Sequence, residues 1–274
     1  MAIIYLGVTG VLYFLQDKLI FPGASTRGTA EARVTPHADE ELVPLTMASG
    51  EKIVLLFGPA LNGDGTPHPD AANRPTIIYF YGNGMSLSSA VYDFPQFRKL
   101  GVNVAGVEFV GYGMSTGKPS EAGVYESADA AYSHLISRRD VDPKQIIPFG
   151  WSLGGAAAIH LASTKPVAGL AKFSAFTNMP EVAQKSMPYL PVKWLVKHKF
   201  DNELKMASIR IPTFLSHGRL DSLVPFEMNA RLAAAAKGKT TVVAIHRADH
   251  NDIFAIGGKD LLLKLSLFFE EVHH

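Results

Sequence analysis

The chain has 274 residues, 47% of them hydrophobic and 19% charged, which suits one large domain whose core needs no covalent staples. A formal net charge of +1 offers no electrostatic basis for binding nucleic acid. The absence of cysteine excludes disulfides, thiolate chemistry, thiolate metal sites and S-palmitoylation of this chain, and leaves the redox compartment open.

Residues 1–22 read as an apolar N-terminal segment. Ala2 to Leu15 is uncharged and almost wholly apolar; Gln16, Asp17 and Lys18 interrupt it before Leu19-Ile20-Phe21. As a helix the first stretch is about 21 Å long, against a hydrocarbon core of about 30 Å. It is apolar on every face, so it lacks the pattern of an amphipathic surface helix. Ala30-Glu31-Ala32 has the form of a signal-peptidase site, but no Lys or Arg precedes the apolar run, which argues against a signal peptide. Residues 2–21 are expected to associate with a membrane; the alternative is a helix packed on the protein's own surface. Lys18, Arg27 and Arg33 all follow the segment, which puts the body on the cytoplasmic face if it inserts. A soluble cytoplasmic or an exported chain stays open.

The domain expected over residues 40–272 opens with an antiparallel pair, Glu41–Met47 and Lys52–Phe57. A Gly/Pro/Asp/Asn loop over 62–75 follows. Thr76–Tyr81 is a continuous apolar, β-branched and aromatic run of the kind that forms a buried strand, and Val102–Val107 is another. Ser120 stands at a helix N-cap with Glu121 in the first turn. Gln145–Phe149, Val167–Ser174, Thr213–Ser216 and Thr240–His246 supply further strands, with helices near Phe226–Ala236 and Lys259–Val272. Strands alternating with helices predict the α/β class: a mainly parallel eight-stranded sheet covered on both faces. Function in such sheets gathers at the carboxyl ends of the strands.

One motif stands at such an end. Gly150-Trp151-Ser152-Leu153-Gly154 lies between the strand Gln145–Phe149 and the helix-forming run Gly155–Ala162. Gly-x-Ser-x-Gly in a strand–turn–helix setting is a nucleophile elbow, in which the glycines permit a sharp turn that exposes the serine hydroxyl. Gly113-Met114-Ser115-Thr116-Gly117 matches the same pattern, but Lys118-Pro119 follows it, and the residue before a proline is pushed out of the α region. Ser115 is therefore expected in a loop, and Ser152 is the candidate nucleophile.

A serine hydroxyl needs a base, and the base needs a carboxylate to orient it. Asp221 lies in the loop after Thr213–Ser216, and His250 in the loop after Thr240–His246, the chain order serine, acid, histidine expected of this arrangement. Asp249 and Asp252 are rival acids, but they sit too near His250 in sequence to orient it from across a site. His246 is the rival base, at a strand end rather than in the loop. His217 reads as a structural turn residue and His160 as a packed or capping one. His246, Asp249 and His250 have no Cys or Glu at a ligand spacing, so no metal is expected, and no cofactor. The oxyanion donors are assigned to the N–H of Leu153 and to that of Asn83 in the loop Gly82-Asn83-Gly84-Met85-Ser86, with Gly84 as the alternative to Asn83.

With these residues in place, the chain resembles the α/β-hydrolase fold superfamily over about residues 40 to 270. Within it the chain is most similar to the small membrane-anchored branch of fungal bud-emergence-like proteins and animal protein depalmitoylases. The matching stretches are Gln16–Pro22, Tyr81-Gly82-Asn83-Gly84, Gly111–Ser115, Gly150–Gly155, Tyr189–Val192, Lys199–Asn202, His217–Asp221 and Asp249–Asp252. The resemblance implies a serine hydrolase with Ser152, Asp221 and His250 as its triad, and it makes Ser115 part of a structural loop. Two departures matter: Tyr81 stands where the family usually has histidine, and the N-terminal cysteine cluster of the depalmitoylases is missing.

A short cap insert is expected over residues 177–209, carrying Met179, Met187, Tyr189, Leu190, Trp194 and Leu195 with three prolines. Tyr81, Trp151, Met179, Met187 and Tyr189 are the candidate substrate-pocket residues. The expected activity is cleavage of carboxylic esters through an acyl-enzyme, on short- to medium-chain esters or monoacylglycerol-like lipids. The alternatives are an acyl-thioesterase and a membrane-tethered scaffold with little activity.

Overall fold

In the computed structural model, which describes residues 2–273, eight strands form one sheet. They are β1 (Glu41–Thr46), β2 (Lys52–Gly58), β3 (Thr76–Phe80), β4 (Asn103–Glu108), β5 (Ile146–Trp151), β6 (Leu170–Phe173), β7 (Thr213–Gly218) and β8 (Thr240–Ile245). Their order across the sheet is β1-β2-β4-β3-β5-β6-β7-β8. β2 pairs antiparallel with β1 and β4, and every pairing from β4 through β8 is parallel. The outermost strands β1 and β8 are half-buried or exposed at every residue but Val243, whereas β3 and β4 are buried along their whole length. That difference is the reason the central strands read as unbroken apolar runs: helices cover both of their faces.

The helices are α1 (Ala2–Ile20), α2 (Leu87–Ala90), α3 (Phe94–Arg98), α4 (Glu121–Ser137), α5 (Leu153–Thr164), α6 (Met179–Ser186), α7 (Val192–Leu195), α8 (Asn202–Met206), α9 (Phe226–Ala235) and α10 (Ile253–His273). Ser120 caps α4 by accepting a hydrogen bond from the Gly123 N–H, and Asn178 caps α6 in the same way from Glu181. α10 is broken at Gly258, whose φ of +48° only glycine adopts easily. The helix expected from Lys259 is the part beyond that break. α2 and α3 were not legible as helices, being too short to show a period, with Pro95 in the second.

The core is aromatic around the middle of the sheet. The Phe149 ring lies 5.5 Å from that of Tyr79, 4.9 Å from Phe97 and 4.8 Å from Phe173. The chain between β6 and β7 leaves the sheet to form α6, α7 and α8, which occupy the region read as a cap. α1 runs unbroken through Gln16, Asp17 and Lys18 and reaches the cap. Gln16 is buried, accepting a hydrogen bond from the Lys197 N–H at 2.7 Å, so the polar interruption in the segment is a packed contact. Among the described residues no helix is long and apolar enough to cross a membrane.

Candidate active site

The turn from β5 into α5 forces an unusual backbone. Ser152 sits between them at φ +55° and ψ −115°, a strained conformation for a residue with a side chain. The flanking glycines are required by space. A Cβ on Gly150 would lie 2.1 Å from the Gly154 carbonyl oxygen, and one on Gly154 would lie 2.0 Å from the Phe80 carbonyl oxygen. The helix can therefore close onto the ends of β3 and β5 only where side chains are missing, and the hydroxyl is pushed up from the sheet.

Two loops at the same end of the sheet converge on that hydroxyl. The Ser152 Oγ lies 2.9 Å from His250 Nε2, and His250 Nδ1 lies 2.8 Å from Asp221 Oδ2. A carboxylate only accepts, so Nδ1 carries the proton and Nε2 is the acceptor facing the serine. Asp221 and His250 are both buried. The other oxygen of Asp221 accepts from the backbone N–H groups of Leu223 at 3.0 Å and Val224 at 2.7 Å. Burial by itself would raise the pKa of Asp221. Hydrogen bonds from His217 and His250, with the Val224 N–H, outweigh burial and hold the carboxyl well below the usual carboxylate range.

His217, expected to be a structural turn residue, lies at the end of β7, just before the loop. It is buried, and its Nε2 stands 3.0 Å from Asp221 Oδ2 and 3.0 Å from the Val224 carbonyl oxygen. Both neighbours are acceptors, so Nε2 donates. Burial, helped by the nearby Lys172 charge, lowers the His217 pKa and favours this neutral donor, although Asp221 pulls the other way. His217 thus secures the loop that presents Asp221. No spacing rule marks it, because the contact arises only when residues 218–224 fold back over the end of β7.

The rival residues take other positions. Asp249 accepts from the Ser222 N–H and the His250 N–H, each at 2.7 Å, which ties the loop of Asp221 to the loop of His250. Asp252 accepts from the Asp249 N–H. His246 is exposed. Ser115 is buried in the loop after β4, with its hydroxyl donating to the Glu108 carbonyl oxygen. His160 stacks on Tyr125 with ring centroids 4.3 Å apart.

Ser152, Leu153, Asn83 and His250 share the wall of a cavity of about 350 Å³. Leu153 is the first residue of α5, where a backbone N–H has no partner within the helix. The side-chain amide of Asn83 donates to the Ile20 carbonyl oxygen, and its own carbonyl accepts from the Gly23 N–H and the Tyr112 hydroxyl. Gly84 does not reach the cavity wall.

Of the five expected pocket residues, Met179 and Met187 line this cavity and the other three do not. Tyr81 is buried behind it, its hydroxyl bonded to Glu108 on the neighbouring strand. Trp151 turns to the far side of the elbow, packs against Phe254 and donates from Nε1 to the His250 carbonyl oxygen at 3.2 Å. Tyr189 is 90% exposed, because Gln184 gathers the carbonyls of Met187, Pro188 and Leu190 beneath the loop and leaves the ring outside. In their place the wall includes Phe176, Val182, Val192 and Leu195, and a stripe of α1, the segment expected to associate with a membrane or, as the alternative, to pack on the protein's own surface.

No protein-family profile matches the chain. It is 32% identical over 276 residues to an uncharacterized protein of Mycobacterium tuberculosis, covering 98% of this chain and 94% of that protein. It is 31% identical over 218 residues to the alpha/beta hydrolase domain-containing protein WAV2 of Arabidopsis thaliana, covering 72% of this chain and 70% of that one. An alpha-beta hydrolase from Vibrio vulnificus superposes with a TM-score of 0.73 at 18% identity, covering 93% of each chain. The Pyrococcus furiosus esterase Pf2001 superposes at 0.68 and 18% identity, covering 85% of this chain and 90% of that one.

Proposed function

The chain belongs to the α/β-hydrolase superfamily, and on that premise we propose that it is a serine hydrolase that cleaves carboxylic esters of a single acyl chain. The observation that carries the reading is the hydrogen-bonded line from Ser152 through His250 to Asp221, at the edge of an apolar cavity. The cavity volume of about 350 Å³ lies at the small end of ligand sites, which favours short- to medium-chain esters and monoacylglycerol-like lipids over bulkier substrates.

In this mechanism the Ser152 hydroxyl attacks the ester carbonyl while its proton passes to His250 Nε2. Asp221 holds the opposite ring nitrogen and stabilises the imidazolium that forms. The N–H groups of Leu153 and Asn83 receive the developing oxyanion. Collapse expels the alcohol, which takes the proton from His250 and leaves the acyl group on Ser152. Water then attacks the acyl-enzyme, losing a proton to His250, and the acid is released as the serine regains its proton. A serine at the elbow sets this chemistry apart from the aspartate-based reactions of the same fold. Support for a lipid-surface setting comes from the outward face of α1, where Val11, Phe14 and Leu15 are exposed.

The test is hydrolysis of p-nitrophenyl esters from acetate to decanoate by the wild type, Ser152→Ala and Ser115→Ala. Loss in Ser152→Ala alone is the expected result. Equal loss in both variants with folded protein, or no turnover of any ester together with no labelling of Ser152 by a fluorophosphonate, overturns the reading. Matched oxygen and thiol esters of one chain length then separate an esterase from a thioesterase.

A further inference from the structure

α1 is apolar almost throughout, yet among the described residues one side of it lines the cavity beside Ser152 and His250. Thr9, Leu12, Tyr13, Gln16, Leu19 and Ile20 line the cavity, at intervals of three and four residues that place them on a single helical stripe. At 1.5 Å per residue, that stripe extends about 16 Å from Ile20 to Thr9. It begins beside the oxyanion loop, where the Asn83 side chain donates to the Ile20 carbonyl oxygen at 3.1 Å and the Gly23 N–H donates to the Asn83 carbonyl at 2.9 Å. It passes across the cap at Gln16, whose Nε2 donates to the Tyr13 and Leu195 carbonyls and whose Oε1 accepts from the Lys197 N–H. A second tie follows one residue on, between Asp17 and His198 at 3.0 Å.

A buried amide without partners is strongly unfavourable, so a glutamine in this apolar helix is stable at one depth and one rotation only. Gln16 therefore sets the register of α1 against α7. We infer that α1 is the specificity wall of the site: the acyl chain runs from Ser152 between α1 and α6–α7, Leu12 limits its length, and Gln16 with Asn83 fixes the wall to the cap and to the oxyanion loop. The inference rests on the ester-hydrolase reading for its substrate, but the channel itself is tested apart from turnover.

The wild type, Leu12→Trp, Leu12→Ala and Phe14→Ser are compared on p-nitrophenyl acetate, octanoate and decanoate. Phe14 faces outward, 78% exposed, and serves as the control. Each protein is also titrated with diethyl p-nitrophenyl phosphate, a small reagent for Ser152 that needs no acyl channel. Leu12→Trp is expected to lower kcat/KM on decanoate relative to acetate by about tenfold or more, the equivalent of roughly two methylenes losing their wall. Leu12→Ala should move the optimum toward longer chains, and Phe14→Ser should keep the wild-type profile. An unchanged profile in both Leu12 variants, with normal phosphorylation of Ser152, overturns the wall and leaves the hydrolase standing. Where no ester is turned over at all, displacement of dansyl-undecanoate by decanoate from Ser152→Ala protein decides. Leu12→Trp in that background must weaken decanoate binding by about tenfold, and equal affinity refutes the channel.

Discussion

Lys172 gives the sharpest stability prediction. It lies in β6 with no exposed surface, its ammonium bonded to Asn229 of α9, and burial lowers its pKa from 10.5 to about 7. A lysine lowered in the folded state is a liability wherever the unfolded chain is protonated. Below about pH 7 both states carry the proton, and the folded state bears the full penalty of the buried charge. Between about pH 7 and 10.5 the folded lysine is neutral while the unfolded one is still charged, so stability rises with pH. Above 10.5 the difference vanishes. At ~1.4 kcal/mol for each pKa unit, the gap from 10.5 to about 7 corresponds to ~5 kcal/mol below pH 7 and ~1 kcal/mol near pH 10. Lys172→Met keeps the chain length and removes the charge, but it strips Asn229 of its partner at a loss of ~1–3 kcal/mol. The variant is therefore expected to be more stable than the wild type by ~2–4 kcal/mol at about pH 6.5, and no more stable near pH 10. Urea unfolding followed by circular dichroism at both pH values measures this directly. A stability difference that stays constant with pH would show that the lysine is not held neutral by burial.

Three other variants have outcomes that follow from the geometry. Asp221→Asn should lower kcat by ~100-fold or more, because the amide can present a donor to His250 Nδ1 and favour the wrong tautomer. Since the Asp221 carboxyl is held below its usual pKa of 3.8, its contribution to stability is complete above that value and lost as pH falls further. The stability gap between wild type and Asp221→Asn should then narrow in acid unfolding below about pH 3.8. Gly154→Ala should destabilise the fold by ~1–3 kcal/mol and abolish ester turnover, since the new methyl meets the Phe80 carbonyl; chemical denaturation and the ester assay test both, and a normally active, equally stable variant would contradict the packing at the elbow. Phe14→Glu on the exposed face of α1 should reduce co-sedimentation with phosphatidylglycerol vesicles without altering turnover of p-nitrophenyl acetate; identical sedimentation of variant and wild type would remove the lipid-surface setting.

The candidate site is written locally, and that is why so much of its geometry was legible. The elbow needs glycine at 150 and 154 because a helix start meets two strand ends there. The false match at Ser115 is marked by the proline that follows it. The order serine, acid, histidine comes from alternation of strand and helix, which puts each loop at the same edge of a parallel sheet. The cavity is another kind of object. Its wall is assembled from α1, α6, α7, the turn from β5 into α5 and the loops after β3, β6, β7 and β8, so no single segment carries its signature. Periodicity could not reveal the inward stripe of α1, because a helix that is apolar on every face offers no contrast between the side it buries and the side it exposes. Gln16 looked like a break in an apolar segment until its partners on the cap were present. Tyr81 and Trp151 adjoin the site in sequence, yet side chains at strand ends alternate in direction, and the tertiary fold sends these two to Glu108 and Phe254. Which residues meet at the candidate site was determined by local motifs and their order along the chain; which surfaces enclose Ser152 was decided only when distant segments packed together.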